Sequence, residues 1–247
     1  MNINSSASII MRVSEFGESD LLVTFFTPAE GKLKGIAKGA RRSRARFVNC
    51  LDIFSLVNLE YSLKKKDSLH FIHSGKLIDA FPGLRKDYRT LIKASYMIEL
   101  TEILFPWHLP DMVMFDILKN SFETLDKGGS PDIIPVFFEI AAMALGGYGI
   151  SLDKCTVCGR KYQGQGTAVF RPDTGGIACM RCQEITKMTP AMCPETVRTV
   201  NEIQTCLAED FMGSGISTDF LNEIKPVLKL HREYRLEHKP KSANYFE

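Results

Sequence analysis

The sequence lacks a long hydrophobic run. Its longest apolar stretch, residues 133–145, is interrupted by Pro135 and Glu139, and it is shorter than the ~20 residues that a membrane-spanning helix requires. The first eight residues also lack the basic and apolar regions of a secretory signal. These absences predict a protein that makes no contact with membranes and works in the cytoplasm.

Catalytic motifs are missing as well. The chain has no Gly-x-x-x-x-Gly-Lys-Ser/Thr phosphate loop, no Gly-x-Ser-x-Gly nucleophile elbow and no His-Glu-x-x-His helix. No histidine lies between His108 and His231, so the cysteine pairs in that region are not accompanied by the His-x-Glu of a nucleobase deaminase. Asp111 and Asp116 are typical of a helix cap and a polar helix face rather than of a catalytic carboxylate pair. We therefore expect a binding protein and not an enzyme.

Cysteine is present, but its pattern is not that of a disulfide framework. A chain without a secretory signal is expected to keep its thiols reduced. Of the seven cysteines, Cys50, Cys193 and Cys206 are isolated, which is typical of small buried apolar groups. The other four form two Cys-x-x-Cys pairs separated by twenty residues: Cys155, Cys158, Cys179 and Cys182.

The two pairs predict a four-cysteine metal site. Two residues between cysteines allow both thiolates of a tight turn, a knuckle, to bind one ion, and a second knuckle completes a tetrahedron of sulfur ligands. Gly159 follows the first pair and Gly175-Gly176 precedes the second, where tight turns favour glycine. A redox pair would instead begin a helix after a strand, and a catalytic zinc site would keep only three protein ligands. We therefore predict one structural Zn²⁺.

Acidic residues are absent from residues 32–46, which hold seven basic residues. Because the formal net charge of the whole chain is only +2, this basic segment is a local concentration of charge. Clustered lysines and arginines neutralise phosphates and release counterions, which produces salt-sensitive binding to nucleic acid; a solvated surface loop is the alternative. Phe47 fits a core position better than a base-stacking platform. The segment predicts DNA contacts by Lys32, Lys34, Lys38, Arg41, Arg42, Arg44 and Arg46.

The first eighty residues have the pattern of β-structure. Apolar and β-branched runs at 8–13, 21–26, 32–38, 50–61 and 68–78 are separated by turn-forming residues. Five strands without an intervening helix predict a small closed barrel of the OB type, although an SH3-like barrel fits nearly as well. Within the third strand, Leu33, Gly35 and Ala37 would face one side and the lysines the other.

Helical spacing replaces this alternation after residue 81. Periodic apolar positions predict helices at 88–105, 111–125, 131–145, 194–211 and 218–236, and the third of these is apolar nearly all round. The predicted architecture is therefore α+β and multidomain. It consists of a five-stranded barrel at 1–80, a first helical part at 81–152, a four-cysteine zinc finger at 153–188, and a second helical part with a C-terminal tail at 189–247.

Several of these motifs together resemble the bacterial recombination mediator family RecO. The N-terminal likeness is carried by Val-Ser-Glu-Phe-Gly-Glu-Ser-Asp-Leu-Leu-Val-Thr-Phe-Phe-Thr at 13–27, by Gly-Lys at 31–32 and by Lys-Gly-Ala-Arg-Arg at 38–42. The cysteine pairs, with Gly159, Phe170 and Gly175-Gly176, resemble the zinc finger of that family. Lys-Pro-Lys-Ser at 239–242, with Phe246, resembles its C-terminal signature. These matches occur in the order of the family across nearly the whole chain.

The resemblance implies an N-terminal OB domain and a helical C-terminal domain that contains the zinc finger. It implies binding of single- and double-stranded DNA at the nucleoid, annealing of complementary strands, and cooperation with RecR and single-strand-binding protein in loading the recombinase RecA. By position, the DNA contacts would fall on Lys38, Arg41, Arg42, Arg44 and Arg46. The residues alone leave two other functions open: an RNA-binding or transcription-associated protein, and a protein-interaction adaptor that uses the apolar helices between residues 88 and 145.

Overall fold

The computed structural model describes residues 3–43, 45–63, 69–206 and 216–245. Arg44, one of the predicted DNA contacts, and residues 64–67, where a polar turn between the fourth and fifth predicted strands is expected, therefore lie outside the described residues. Contacts within the chain define two compact units. The first, here called the barrel unit, contains the residues up to Ile98 together with Phe105–Gly128. The second, the finger unit, contains Glu99–Leu104 and the residues from Gly129 onward.

The strands of the barrel unit form a closed barrel. They are β1 (Asn4–Phe16), β2 (Asp20–Thr27), β3 (Gly31–Ala37), β4 (Leu56–Ser62) and β5 (His70–Asp79). Their order is β1-β2-β3-β5-β4, and β1 closes the barrel by pairing with β4. The β3–β5 pairing is parallel and the others are antiparallel. This order is that of an OB-type barrel, so the structure decides between the two barrel types and confirms the predicted fold class.

The fourth strand begins later than its sequence pattern predicts. Residues 51–55 form turns instead of extended backbone, and Phe54 has a φ of 74°. The Phe54 N–H donates to the Ile10 carbonyl at 2.8 Å, and the Ile10 N–H donates to the Ser55 carbonyl at 3.0 Å. Cys50 and Leu51 are buried in the barrel core. The apolar pattern of this segment therefore reflects burial of its side chains and not a strand.

The alternation predicted for β3 is confirmed. Leu33, Gly35 and Ala37 are buried, and Leu33 and Ala37 belong to the barrel core. Lys34 and Ile36, on the other side of the strand, are only half-buried. Period-two alternation thus identified correctly which side of this strand faces the interior.

A loop that follows the first helix covers part of the edge of β3. This helix, α1 (Tyr88–Leu104), is followed by α2 (Met112–Asp126). β5 pairs with β3 only at Gly35–Ala37. At the other end of β3, the His108 N–H donates to the Lys32 carbonyl at 3.1 Å. Gly31 permits this close approach because it has a φ of 69° and because a Cβ there would lie 1.9 Å from the Leu109 carbonyl oxygen.

Contacts place α2 with the barrel, whereas the sequence-based division places it in the helical part. Phe115 of α2 stacks on Phe26 of β2, with 6.4 Å between the ring centroids. Asp111 accepts a hydrogen bond from the Met114 N–H at 2.8 Å and so caps α2, which confirms its predicted structural role. The packing of α2 thus depends on aromatic contacts with a strand far away in the sequence.

The finger unit combines helices with a small sheet. Its elements are α3 (Ile134–Met143), β6 (Ser151–Cys155), β7 (Ala168–Arg171), β8 (Gly176–Cys179), β9 (Ala191–Met192), α4 (Pro194–Cys206) and α5 (Thr218–Arg235). The sheet order is β6-β8-β7-β9. Every residue of α3 is buried, which confirms its predicted central position. Its Glu139 forms a buried ion pair with Arg232 of α5 at 2.6 Å. Within the described ranges, no helix has both the length and the apolar character needed to cross a membrane.

Gly31→Ala tests the close approach of the covering loop to β3. We expect the variant to lose about 3 kcal/mol or more of unfolding free energy, because positive φ strains an alanine and its Cβ would overlap the Leu109 carbonyl. Gly17→Ala is the matched control. Gly17 has a φ of 65° and no atom lies within 4 Å of an added Cβ, so it should lose only ~1–2 kcal/mol. Denaturant unfolding measures both losses, and equal values would show that the Leu109 contact is unimportant.

Candidate metal centre and nucleic-acid surface

The four cysteines of the two Cys-x-x-Cys pairs converge in the finger unit. Cys155 ends β6 and Cys179 ends β8, and because these two strands run parallel, both pairs begin at the same end of the sheet. The four Sγ atoms lie within 4.8 Å of one another, and those of Cys158 and Cys179 are 4.0 Å apart. Four thiolates bound at ~2.3 Å around one tetrahedral ion would be about 3.8 Å apart. The cluster can therefore bind a single metal ion.

Backbone hydrogen bonds close each pair into a tight turn. The Gly159 N–H donates to the Cys155 carbonyl at 2.9 Å, and the Cys182 N–H donates to the Cys179 carbonyl at 2.9 Å. Gly159 has a φ of 72°, in the region that glycine adopts at least cost. The Cys179 N–H also donates to the Cys155 Sγ at 3.4 Å, which links the two knuckles. The local sequence therefore determines the turns, and strand pairing brings them together.

The pKa values of the cluster thiols differ strongly. Burial raises the pKa of Cys155, but the N–H groups of Cys158, Cys179 and Val157 outweigh burial and lower it to about 6. The pKa of Cys179 is lowered mainly by its hydrogen bond with Cys182, and that same hydrogen bond raises the pKa of Cys182 to about 12. Sulfurs this close cannot all carry negative charge unless a cation offsets it, and a divalent ion would do so.

The basic segment follows β3 in the barrel unit. Gly39, with a φ of 66°, introduces a short 3₁₀ turn over Ala40–Arg42. The Gly39 N–H donates to the Asp20 carboxylate at 2.8 Å, and the Arg41 N–H donates to the Ser19 carbonyl at 3.1 Å. The turn between β1 and β2 therefore orders the basic segment. Lys34 is half-buried, and the exposed predicted contacts are Lys38, Arg41, Arg42 and Arg46.

Lys32 differs from the other predicted DNA contacts. It is only 5% exposed, and its ammonium nitrogen lies 4.7 Å from the centroid of the Trp107 ring. The face of an indole ring attracts a cation, so Lys32 packs against the covering loop instead of extending toward solvent. Its burial argues against contact with a DNA backbone, and we omit Lys32 from the proposed contacts. Its local sequence does not show this, because the covering tryptophan comes from a distant part of the chain.

Tertiary contacts partly neutralise the basic segment. The Arg41 guanidinium lies 3.0 Å from the Glu15 carboxylate and also donates to the Glu18 carbonyl at 3.3 Å. Arg46 donates to the Lys38 carbonyl at 2.7 Å. Lys38 and Arg42 form no ion pair with any residue that the structure describes. These two cations are therefore the most available for an anionic ligand.

Phe71 is a candidate contact that the sequence reasoning missed. It lies on β5 opposite Ile36 of β3, and the Lys38 ammonium is 5.8 Å from its ring centroid. Phe71 is half-buried, whereas Phe47 is a core residue, as predicted. Period-two alternation along the predicted fifth strand puts Phe71 on the face opposite to His70 and Ile72, and this could have identified an outward-facing aromatic residue.

Comparison with known proteins gives consistent matches over nearly the whole chain. Residues 1–81 match the family model described as "Recombination protein O N terminal", and residues 85–244 match "Recombination protein O C terminal". The "DNA repair protein RecO" of Syntrophus aciditrophicus (strain SB) is 32% identical over 90% of this chain and 82% of its own length. A protein of the same name from Desulfatibacillum aliphaticivorans is 30% identical over 98% of this chain and 96% of its own length.

Replacing one cysteine of the cluster tests the metal centre. We expect Cys155→Ser to reduce the bound metal from about one ion per chain to almost none, because three thiolates no longer close a tetrahedral site. We also expect a lower unfolding temperature for the finger unit, since metal binding contributes to its folding. Cys193→Ser is the matched control, since Cys193 lies outside the cluster beside Thr196. Elemental analysis and calorimetry measure both effects, and full metal occupancy in Cys155→Ser would contradict the assignment.

Proposed function

Because the chain belongs to the RecO family of recombination mediators in DNA repair, we propose that it binds single- and double-stranded DNA and anneals complementary strands. The observation that carries this proposal is the exposed basic surface of an OB-type barrel beside the half-buried Phe71. Barrels of this type commonly bind oligonucleotides. The proposed contacts are Lys34, Lys38, Arg41, Arg42, Arg44 and Arg46.

The chemistry of this surface suits a single strand. Lys38 and Arg42 would neutralise phosphates, since they form no ion pair among the described residues. The Phe71 ring beside Lys38 would stack on a base, and stacking of this kind is tolerant of sequence because every base has a π-face. A cation and an aromatic ring side by side match the alternation of phosphate and base along a strand. Binding would therefore depend strongly on salt and weakly on sequence.

Annealing needs no catalytic centre in this mechanism, and we propose that the protein is not an enzyme. Two complementary strands repel each other through their phosphates, and a basic surface reduces that repulsion. Base pairing then supplies the free energy of duplex formation. The protein would raise the local concentration of the strands and would release the duplex when pairing is complete.

We propose further that the metal ion is Zn²⁺ and that its role is structural. Four thiolates close a tetrahedral shell and leave no position for water or substrate, which distinguishes a structural from a catalytic zinc site. The cysteines belong to β6, β8 and the turns that follow them. Bound Zn²⁺ would join β6 and β8 at the end where both knuckles begin and so contribute to the folding of this unit.

Family membership alone supports the proposed partners. We propose that the protein cooperates with RecR and single-strand-binding protein to load RecA onto DNA, and that it acts in the cytoplasm at the nucleoid. None of these associations depends on a membrane. An RNA-binding role uses the same phosphate chemistry, and a strong preference for structured RNA over DNA would favour that role.

Loss of two cations from the basic segment tests DNA binding. We expect Lys38→Gln/Arg42→Gln to weaken the binding of labelled single-stranded DNA and to reduce the slope of log K against log salt by about 1.4, or about 0.7 for each lost contact. Lys86→Gln/Lys127→Gln removes the same charge from exposed positions of the barrel unit and should leave the slope unchanged. Fluorescence anisotropy across a salt series measures the slopes. Equal slopes in both variants, or a strong preference for structured RNA, would count against the proposal.

Strand annealing needs its own measurement. We expect the protein to accelerate duplex formation between two complementary oligonucleotides, followed by energy transfer between dyes on the two strands. The acceleration should fall as salt rises, because the same counterion release drives it. Oligonucleotides without complementarity control for aggregation. If DNA binds but annealing proceeds at its spontaneous rate, the annealing role is wrong and the binding role stands.

A further inference from the structure

The finger unit has a basic surface of its own, on the hairpin that contains the first knuckle. The Cys155 N–H donates to the Arg160 carbonyl at 2.8 Å, and the Tyr162 N–H donates to the Asp153 carbonyl at 2.8 Å. Between these two hydrogen bonds, Lys154 and Lys161 form an antiparallel bridge. The two lysines therefore lie directly opposite each other on paired strands.

Their register brings the two lysine side chains as close as an antiparallel pair allows. A pair that is flanked by hydrogen bonds, and not joined by them, has Cα atoms about 4.5 Å apart and side chains on the same face. Both lysines are exposed, and neither forms an ion pair within the described ranges. Like charges directly opposite each other destabilise a strand pair. An anion bound between the two lysines would relieve this repulsion.

A neighbouring pocket has both Arg160 and Lys161 on its wall. Arg160 precedes Lys161, is exposed, and forms no ion pair with any described residue. An open pocket of about 210 Å³ is lined by Arg160, Lys161, Tyr162 and Gln163, and also by Cys155 and Cys179 of the metal cluster. The Tyr162 hydroxyl donates to the Gly166 carbonyl at 2.9 Å, which restrains its ring. In such a pocket the cations would contact a phosphate, the restrained aromatic ring would stack on the face of a base, and the side-chain amide would hydrogen-bond to the polar edge of that base.

Balancing the negative charge of the thiolate cluster is the other possible use of these lysines. Successive side chains of a strand point to opposite faces, so Lys154 lies on the face opposite to Cys155. Cys155 is buried whereas Lys154 is exposed. The placement of Lys154 therefore favours a ligand from solvent over the metal centre, whereas Lys161 lines the pocket that Cys155 and Cys179 also line.

We propose that Lys154, Arg160 and Lys161 bind the phosphates of a single DNA strand and that the pocket beside Tyr162 receives one of its bases. This inference rests on the proposed DNA binding and adds a second strand-binding surface to the basic segment of the barrel unit. With a surface in each unit, one molecule can hold two strands. Holding two strands on one molecule would raise their local concentration and so favour annealing.

A paired-variant experiment tests this second surface. In a salt series with labelled single-stranded DNA, Lys154→Gln/Lys161→Gln should reduce the slope of log K against log salt by about 1.4. Lys225→Gln/Lys241→Gln removes equal charge from exposed positions of the finger unit and should leave the slope unchanged. If the unaltered protein binds DNA and both variants give the same slope as the unaltered protein, the second surface is refuted and the proposed DNA binding by the barrel unit still stands. If the unaltered protein does not bind DNA, the proposed function fails as well. A variant that loses metal and retains its DNA affinity would assign the lysines to the metal centre.

Acetylation of lysines in the unaltered protein gives a second readout, which does not depend on the folding of a variant. Saturating single-stranded DNA should slow the acetylation of Lys154 and Lys161 by a small amine-reactive reagent, while exposed Lys225 should react at the same rate with and without DNA. Mass spectrometry of the peptides measures each rate. Equal rates for Lys154 and Lys161 with and without DNA would overturn the proposal.

Discussion

Closure of the barrel depends on a short parallel pairing, in which Gly35–Ala37 of β3 joins His70–Ile72 of β5. Gly35 permits this contact because a Cβ there would lie 2.9 Å from the Ile72 side chain. The pairing leaves the first half of β3 without a neighbouring strand on that side. The loop at 107–109 covers this half and buries Lys32 under Trp107. The same pairing brings Phe71 beside Lys38. Which basic residues remain available to a ligand therefore follows from how the barrel closes.

The finger unit depends on a different constraint, which is electrostatic. Four sulfurs within 4.8 Å of one another cannot all be thiolates without a cation. Backbone N–H groups of Val157, Cys158 and Cys179 lower the pKa of Cys155 to about 6, so the backbone prepares the site for a metal ion before one binds. The sheet around the site is short, and the helices α3 and α5 contribute a buried core with the Glu139–Arg232 ion pair. Breaking such a pair by removing one partner costs ~3–5 kcal/mol, because it leaves a buried charge without its partner.

Local patterns predicted most of the elements and the metal ligands. Apolar residues that repeat every two or every 3.6 positions are visible within a short stretch of sequence. They were enough to predict the number of barrel strands, the inward face of β3 with Leu33 and Ala37, and the helices that begin at 88, 112 and 218. The cysteine ligands were predictable because a knuckle is a local turn whose spacing is visible in the sequence. The start of β4 was predicted wrongly, because burial in a turn produces the same apolar pattern as a buried strand. The packing of α2 on the barrel was also hidden, since it depends on the contact of Phe115 with Phe26.

Residue types and their spacing along the chain were enough to identify the residues that carry the chemistry: the four cysteines, and a segment rich in lysine and arginine. Which of these side chains are available to a ligand depends on the folded chain. It buried Lys32, paired Arg41 with Glu15 and placed Phe71 beside Lys38. It also set Lys154 opposite Lys161. The physical reason is that residue type and turn propensity act over a few positions, whereas exposure, ion pairing and strand register depend on residues brought together from distant parts of the chain.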